Sequence, residues 1–155
     1  MPAEPPLIGA LMRMPVDAVY RRMLADLHRA GFTDIVPAHF AVLRYPGPEG
    51  RRPSDLAAEA GTSKQAMNYL LGQLERSGYL TRGSDPDDRR STRIELTGRG
   101  RTVARTIRAT VTAIERELEE ELGRERFAEL RSLLTELNAS SLVREAATTP
   151  QGETS

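Results

Sequence analysis

The stretch Thr62-Ser63-Lys64-Gln65-Ala66-Met67-Asn68-Tyr69-Leu70-Leu71-Gly72-Gln73-Leu74-Glu75-Arg76 decides the fold of this chain. Its apolar residues recur at three- and four-residue spacing, which predicts an amphipathic helix. The predicted buried face comprises Ala66, Met67, Leu70, Leu71 and Leu74, and the exposed face comprises Ser63, Lys64, Gln65, Asn68 and Gln73. Thr62 followed by Gln65 forms a capping-box pattern, which specifies where the helix begins. A helix with an ordinary solvated polar face would have the same pattern.

A short helical segment precedes this stretch. Ser54 is expected to cap a two-turn helix over residues 55–60, and Gly61 is expected to end it in a left-handed conformation. Two helices separated by so short a turn are typical of a helix-turn-helix, in which the second helix contacts DNA. We therefore call the second helix the recognition helix.

Two short strands are predicted after the recognition helix. They cover residues 79–82 and 92–96, and the alternation in the second places Ile94 and Leu96 inward and Arg93 and Glu95 outward. The charged loop between them is too long for a tight hairpin and predicts a wing, from which an arginine can enter a minor groove. A solvated hairpin with mutually neutralising Asp and Arg side chains is the alternative.

Long apolar stripes occupy the rest of the chain. One steps by three and four residues from Val103 to Leu122, and a second runs from Phe127 to Leu137 after Gly123. A further apolar run surrounds Pro15, which either begins a helix or kinks a longer one. A small winged core cannot cover all three stripes, so a helical dimerisation layer is predicted. An intramolecular helical hairpin is the alternative.

These patterns predict a mainly α fold with a small β-hairpin wing, a winged helix-turn-helix flanked by N- and C-terminal dimerisation helices. A short helix opened by Pro37 is expected before the helix pair. We expect four segments: an N-terminal arm and dimerisation helix (1–31), a winged helix-turn-helix DNA-binding domain (32–96), C-terminal dimerisation helices (97–142) and a disordered tail (143–155).

Charge is segregated along the chain although the net charge is zero. Residues 51–105 contain eleven Lys or Arg against seven Asp or Glu, whereas residues 111–131 contain four against seven. The absence of cysteine excludes disulfides, thiolate metal sites and cysteine-based redox sensing. No stretch is apolar enough to cross a bilayer, and the N-terminus lacks the basic region of a signal peptide. A cytoplasmic protein without membrane contact is expected.

Enzymatic function has little support in the sequence. It has no Gly-rich phosphate loop, no nucleophile elbow and no catalytic pairing of its two histidines with carboxylates. Neither a cofactor nor a metal site is predicted, because His28 and His39 lie eleven residues apart without a clustered third ligand. A winged helix that serves as a protein-interaction or assembly module is the competing hypothesis. The exposed lysine and arginines argue against it, because protein-docking faces are depleted in lysine.

Three motifs in order resemble those of MarR-family winged helix-turn-helix regulators. They are the end of the helix pair from Leu74 to Arg82, the wing Asp85-Pro86-Asp87-Asp88-Arg89-Arg90, and the junction Leu96-Thr97-Gly98-Arg99-Gly100. Asp88 and Arg90 match the family's Asp-x-Arg wing signature. The resemblance extends from about residue 16 to residue 138. It implies a homodimer that binds a pseudo-palindromic double-stranded DNA operator, usually as a repressor, and that is released by a small lipophilic or phenolic effector.

The chemistry of the side chains suggests individual roles in such an interface. Gln65 and Asn68 can pair with adenine, Lys64 can contact guanine or phosphate, and Ser63 suits a phosphate. Arg90 is expected to be tied to Asp88, which leaves Arg89 free for the groove. The complete predicted DNA-binding set is Ser63, Lys64, Gln65, Asn68 and Tyr69 on the recognition helix and Arg82, Asp88, Arg89, Arg90 and Arg93 on the wing. The resemblance also implies an effector pocket, whose expected wall residues are Tyr20, Leu24, His28, His39, Leu43 and Arg108.

Overall fold

The computed structural model describes residues 5–148. Its elements are α1 (Ile8–Arg29), a 3-10 turn (Pro37–His39), α2 (Phe40–Leu43), α3 (Pro53–Ala60), α4 (Lys64–Arg76), β1 (Leu80–Ser84), β2 (Thr92–Leu96), α5 (Gly98–Leu122), α6 (Arg124–Asn138) and α7 (Ser141–Thr148). The prediction of a mainly helical fold with one β-hairpin is confirmed. None of the helices in this described part is long and apolar enough to span a membrane.

A hydrophobic core lies beneath the helix pair and the hairpin. Its buried side chains come from α1 to α4, both strands and the first half of α5, and include Met23, Leu27, Ile35, Phe40, Leu56, Met67, Leu71, Leu74, Tyr79, Ile94 and Val103. Met67, Leu71 and Leu74 confirm the predicted buried stripe of the recognition helix, which is α4. Ala66, which was predicted to be buried, is exposed.

The starts of α3 and α4 differ from the prediction. The first helical residue of α3 is Pro53, whose fixed φ angle suits that position, so Ser54 lies inside the first turn and is not the cap. At α4 the cap is Ser63, whose hydroxyl accepts a hydrogen bond from the backbone N–H of Ala66 at 3.1 Å. The capping box that begins at Thr62 was therefore wrong by one residue. Gly61 ends α3 with a φ of +61°, as predicted.

The hairpin has the predicted second strand and a shifted first strand. Leu80 pairs with Leu96 and Arg82 with Ile94, so β1 begins one residue later and ends two residues later than predicted. Ile94 and Leu96 are buried as expected. On the other edge of β2, Gly50 N–H donates to the carbonyl of Ile94 (2.7 Å) and Ile94 N–H donates to the carbonyl of Arg51 (2.9 Å).

Pro15 lies within α1, which is one continuous helix. The C-terminal half of α1 packs on α5, where Arg22 forms a bidentate ion pair with Glu117 at 3.0 and 3.2 Å. The first half of α1 presents exposed apolar side chains, namely Leu7 just before it and Ile8, Leu11, Met14 and Val16. Leu130, Leu133 and Leu134 of α6 are likewise exposed.

A set of contacts around the buried Tyr79 fixes the start of α5 to the end of α4. The hydroxyl of Tyr79 donates to Asp34 and accepts from Arg99 at 2.9 Å, and the Arg99 guanidinium stacks on the Tyr79 ring. Thr97 donates its backbone N–H to the carbonyl of Tyr79 at 3.1 Å. The helix-turn-helix and α5 are thus held in one orientation.

The C-terminal segment also differs from the prediction. The disordered tail was expected from residue 143, but α7 continues as a helix to Thr148. Residues 1–4 of the expected N-terminal arm and residues 149–155 of the expected tail lie outside the described part of the chain.

Candidate nucleic-acid interface

The N-terminal half of α4 projects polar side chains away from the core. Lys64, Gln65, Asn68 and Tyr69 are exposed, and Tyr69 retains 64% of its accessible surface. Ser63 is exposed as well, but its hydroxyl is used as the helix cap. The positive end of the helix dipole and the unpaired N–H groups of the first turn favour a negatively charged group at this position. This surface is suited to a polyanion.

The wing loop follows β1, whose Arg82 is bonded to Asn68 of this surface, and it has an exposed tip. Asp87, Asp88, Arg89 and Arg90 are all exposed. The carboxylate of Asp88 accepts a hydrogen bond from the backbone N–H of Arg90 at 3.0 Å. The expected tie between Asp88 and Arg90 therefore uses the backbone of Arg90 and not its guanidinium, because Asp88 closes a two-residue Asx turn. Both arginine side chains at the tip are left to solvent.

The other two predicted wing arginines are engaged within the chain. Arg82 donates from Nη1 to Oδ1 of Asn68 at 2.9 Å and from Nη2 to the backbone carbonyl of Asn68 at 3.2 Å. Its Nε lies 3.3 Å from Oε2 of Glu75. Arg93 lies against Asp85 and, at 3.8 Å, Asp87. The Arg82 contacts hold β1 against α4, and the Arg93 contacts hold the wing loop against β2. Both arginines therefore position the exposed surface through contacts inside the chain.

Asp85 is a structural centre of the wing that local sequence patterns do not reveal. Its side chain is fully buried. One oxygen accepts from Arg52 at 3.0 Å and lies 2.9 Å from Nε of Arg93, without the alignment of a hydrogen bond to that nitrogen. The other accepts from the backbone N–H of Asp87 at 3.0 Å. The Arg93 guanidinium, together with the Asp87 amide and Arg52, holds the pKa of Asp85 at about 2.

We expect Asp85→Asn to destabilise the protein at neutral pH and to remove part of its acid sensitivity. A carboxylate whose pKa is lowered by folding stabilises the native state above its unfolded pKa of about 4, and that contribution disappears as pH falls toward 2. The stability difference between the wild type and the variant should therefore shrink between about pH 4 and pH 2. Denaturant unfolding across this range measures it.

Asp87→Asn is the matched control for this prediction, because the Asp87 side chain is 88% exposed and its backbone amide is retained. We expect its stability profile to follow the wild type. A difference for Asp85→Asn that stays constant from neutral pH down to about pH 2 would contradict the assignment of the buried carboxylate as ionised.

A groove of about 470 Å³ lies between α1 and the segment from the 3-10 turn to the end of α2. Its lining residues are Asp17, Tyr20, Arg21, Leu24, Pro37, Ala38, Phe40, Ala41 and Arg44. The rings of Tyr20 and Phe40 stack with centroids 5.2 Å apart. The volume falls within the range of small-molecule sites, about 300–1,000 Å³.

Two of the six residues predicted for an effector pocket, Tyr20 and Leu24, line this groove. The other four do not. His28 is bonded to the carbonyl of Ile35 at 2.7 Å, and Leu43 belongs to the core. Arg108 is exposed on α5, and His39 is buried in a network that leads toward α4. The resemblance indicated the helices involved, but which side chains face the groove depends on how those helices pack.

The network at His39 connects the 3-10 turn with the recognition helix. The backbone N–H of Val36 donates to Nδ1 of His39 at 3.2 Å, and Nε2 of His39 lies 3.1 Å from Oε1 of Gln73. Nε2 of Gln73 donates in turn to the hydroxyl of Tyr69 at 3.1 Å. Tyr69 of the exposed surface is thereby connected, through Gln73 and His39, to the 3-10 turn. The first two residues of that turn line the groove.

Comparisons with known proteins agree with this geometry. A sequence model described as the MarR family matches residues 24–91. The chain is 27% identical to a transcriptional regulator of Thermotoga maritima, with a TM-score of 0.57 over 91% of this chain and 97% of that one. No curated protein matches the sequence.

Two further similar structures hold ligands. The repressor CouR of Rhodococcus jostii, solved with a 23-mer DNA duplex, is 25% identical with a TM-score of 0.63, over 84% of this chain and 92% of that one. A MarR family protein of Mycobacterium tuberculosis, solved with salicylic acid, is 27% identical with a TM-score of 0.62, over 87% and 98%.

Proposed function

We propose that this chain is a MarR-family winged helix-turn-helix transcriptional regulator, as the family model over residues 24–91 and the similar solved structures support, and that it acts as a dimeric repressor of a pseudo-palindromic double-stranded DNA operator. The observation that carries the proposal is the exposed polar start of α4, with Lys64, Gln65, Asn68 and Tyr69 side by side next to the wing. Base edges are contacted by such side chains when a recognition helix enters the major groove.

The wing supplies the second part of the proposed interface. Arg89 and Arg90 lie at an exposed loop tip, and Asp85 fixes the base of that loop. An arginine at such a tip can enter a narrow minor groove, where the negative potential is strongest. We assign this role to Arg89 and Arg90, and we assign Arg82 and Arg93 to positioning the surface.

The proposed dimer is supported by apolar side chains at both ends of the described chain. Leu7, Ile8 and Leu11 at the N-terminal end and Leu133 and Leu134 of α6 are 46–80% exposed. Exposed apolar surface of this kind marks an interaction site. A two-fold dimer would place two copies of α4 in successive major grooves, about 34–36 Å apart. In this arrangement residues 32–96 would contact DNA, and the flanking dimerisation segments would hold the two copies together.

We further propose that the groove beside α1 binds a small lipophilic or phenolic effector that releases DNA. Tyr20 and Phe40 offer an aromatic stack, and Arg21 and Arg44 can face an acidic substituent. The His39 network provides a physical connection from the same segment to Tyr69. Salicylic acid in the M. tuberculosis relative has this chemistry. The protein is proposed to act in the cytoplasm and to have no catalytic activity.

A salt titration with DNA from beside the protein's own gene tests the proposed function. The affinity is expected to fall steeply with salt, because each neutralised phosphate releases counterions. Arg89→Ala and Arg90→Ala should each lower the magnitude of the slope of log affinity against log salt by about 2, because the proposed dimer carries two copies of each arginine and each contributes about 1. Fluorescence anisotropy of a labelled duplex, with analytical ultracentrifugation of the free protein, measures the salt slope and the oligomeric state.

Arg116→Ala, which removes an exposed arginine of α5, is the charge-matched control and should leave the slope unchanged. If neither wing variant changes the affinity or the slope, the wing is not a DNA element. Weak binding that ignores sequence would favour the protein-interaction module instead. A monomer at micromolar concentration would contradict the proposed dimer.

A further inference from the structure

Arg44 contacts two parts of the molecule that the proposed function has to connect. It is the first residue after α2, it is half-buried, and it is one of the residues that line the groove beside α1. Its Nη2 donates a hydrogen bond to the backbone carbonyl of Glu59, in the last turn of α3. A lining residue of the groove is thus bonded directly to the first helix of the helix-turn-helix.

The Glu59 carbonyl lies at the negative end of the α3 dipole. The last carbonyls of a helix lack partners within it. The turn that follows α3 uses two of them, Ala57 and Ala58, through its backbone N–H groups at 3.0 and 3.1 Å. The carbonyl of Glu59 comes next and accepts from the Arg44 guanidinium. A cation at this position is favoured both by the charged hydrogen bond and by the helix dipole.

The end of α3 is joined closely to the recognition helix. Gly61 ends α3, α4 begins at Lys64, and residues 61–63 alone separate the two helices. The two helices also pack against each other. Packed elements move together, so a displacement at Glu59 reaches the exposed start of α4, where the proposed base-contacting side chains lie.

The charge of Arg44 is available to an anionic ligand. The Glu59 carboxylate is bonded to Arg51, and Arg44 forms no ion pair among the side chains that the structure describes. The groove contains a second arginine, Arg21, and one carboxylate, Asp17, both on α1. Arg44 differs from Arg21 because it lies inside the proposed DNA-binding domain and holds α3.

We propose that Arg44 couples the groove to DNA binding, because an aromatic carboxylate that binds Arg44 draws its guanidinium away from Glu59. The inference rests on the proposed function and deepens it by assigning the residue through which the effector acts. Arg44 has N–H donors to spare, so the two contacts oppose each other through charge and not through a shortage of donors. An anion on Arg44 in its observed position would lie near the negative end of α3, which repels it. The anion therefore favours the arrangement in which the bond to Glu59 is broken.

Titrations of the full chain with salicylate and with DNA from beside its own gene test the inference. Saturating salicylate should weaken wild-type DNA binding by about tenfold, within the usual range for coupled sites. Salicylamide, which keeps the ring and lacks the carboxylate, should leave the DNA affinity unchanged. DNA should lower the salicylate affinity by the same factor, because coupling is reciprocal. Fluorescence anisotropy measures the first effect and isothermal titration calorimetry the second.

Arg44→Met separates coupling from ligand binding alone. Methionine keeps the aliphatic stem and removes the bond to Glu59. The DNA affinity of the free variant should fall by about tenfold, to that of the salicylate-saturated wild type, and salicylate should not lower it further. A residue that only binds the ligand would leave the DNA affinity of the free protein at the wild-type value.

Glu59→Gln is the matched control, because it alters the side chain bonded to Arg51 and keeps the carbonyl that accepts from Arg44. It should retain the response to salicylate of about tenfold. If Arg44→Met fails to fold, the NMR signal of the Glu59 carbonyl carbon in the labelled wild type tests the same step. That signal should move with salicylate and stay in place with salicylamide.

Several results would overturn the inference. They are wild-type DNA affinity in free Arg44→Met, a full response of that variant to salicylate, equal action of salicylamide and salicylate, and a wild type that does not bind salicylate. A full response in Arg44→Met would leave the His39 network as the connection between the groove and α4. A wild type that binds salicylate but no DNA would contradict the proposed function itself, which is a different result.

Discussion

Alanine at Lys64, Gln65 and Asn68 together is expected to weaken operator binding by at least about a hundredfold. Each good base contact contributes about 1–3 kcal/mol of discrimination, and the three side chains are adjacent on the exposed start of α4. The residual binding should be insensitive to sequence, because the wing arginines remain. Anisotropy titrations against the operator and a scrambled duplex at the same salt concentration measure both effects.

The fold should tolerate this triple substitution. All three positions are exposed, the cap at Ser63 is retained, and alanine favours helix. Thr112→Ala and Arg116→Ala together, on exposed positions of α5, remove the same net charge and form the control, which should leave DNA affinity unchanged. A triple variant at α4 that melts like the wild type and still prefers the operator would remove α4 from the interface.

Gly100→Ala is expected to lower the free energy of unfolding by about 3 kcal/mol or more, as overpacking against rigid neighbours does. A Cβ atom at this position would lie 1.9 Å from the backbone oxygen of Tyr79 and 3.0 Å from Cδ2 of Leu96. Backbone cannot yield as a flexible side chain does, so α5 would have to move away from Tyr79. Such a shift would also strain the Thr97 and Arg99 contacts with Tyr79.

Thermal unfolding at a fixed protein concentration measures this effect, and a decrease in Tm of about 6–12 °C is expected for a chain of this length. Gly98→Ala is the matched control in the same helical turn, because a Cβ atom there would meet no neighbouring group within 4 Å. It should be neutral or stabilising by up to about 1 kcal/mol. Equal Tm values for the two variants would contradict the close packing of α5 on Tyr79.

Periodicity was sufficient to predict most elements of the fold, α7 excepted, because it reports burial directly. The alternation at Thr92–Leu96 gave β2 with its observed bounds, and the apolar stripe ending before Gly123 gave the boundary between α5 and α6. Helix starts were less predictable. Thr62 and Ser63 are adjacent hydroxyl residues with similar capping ability, and in the fold Thr62 belongs to the end of α3, where its N–H donates to the carbonyl of Ala57.

Residue types were sufficient to predict which side chains form the candidate surface. They did not predict which atoms of those side chains are already hydrogen-bonded within the chain. The bonds that orient Asn68 and Tyr69 come from Arg82 and from His39, the latter 34 residues from Gln73 along the chain. Asp85 was missed for the same reason, because its two guanidinium partners lie just before α3 and on β2. Contacts between distant segments depend on tertiary packing, which local patterns do not encode.

The two backbone bonds between residues 50–51 and Ile94 have a consequence for solution behaviour. An open strand edge offers N–H and C=O groups with which a strand from another molecule can pair, and this is a common route to aggregation. Both groups of Ile94 are already used, and the N–H of Leu96 is bonded to Glu49. The outer edge of β2 is therefore blocked to strand addition at Ile94 and at the N–H of Leu96, which removes a template for intermolecular sheets from this side of the hairpin.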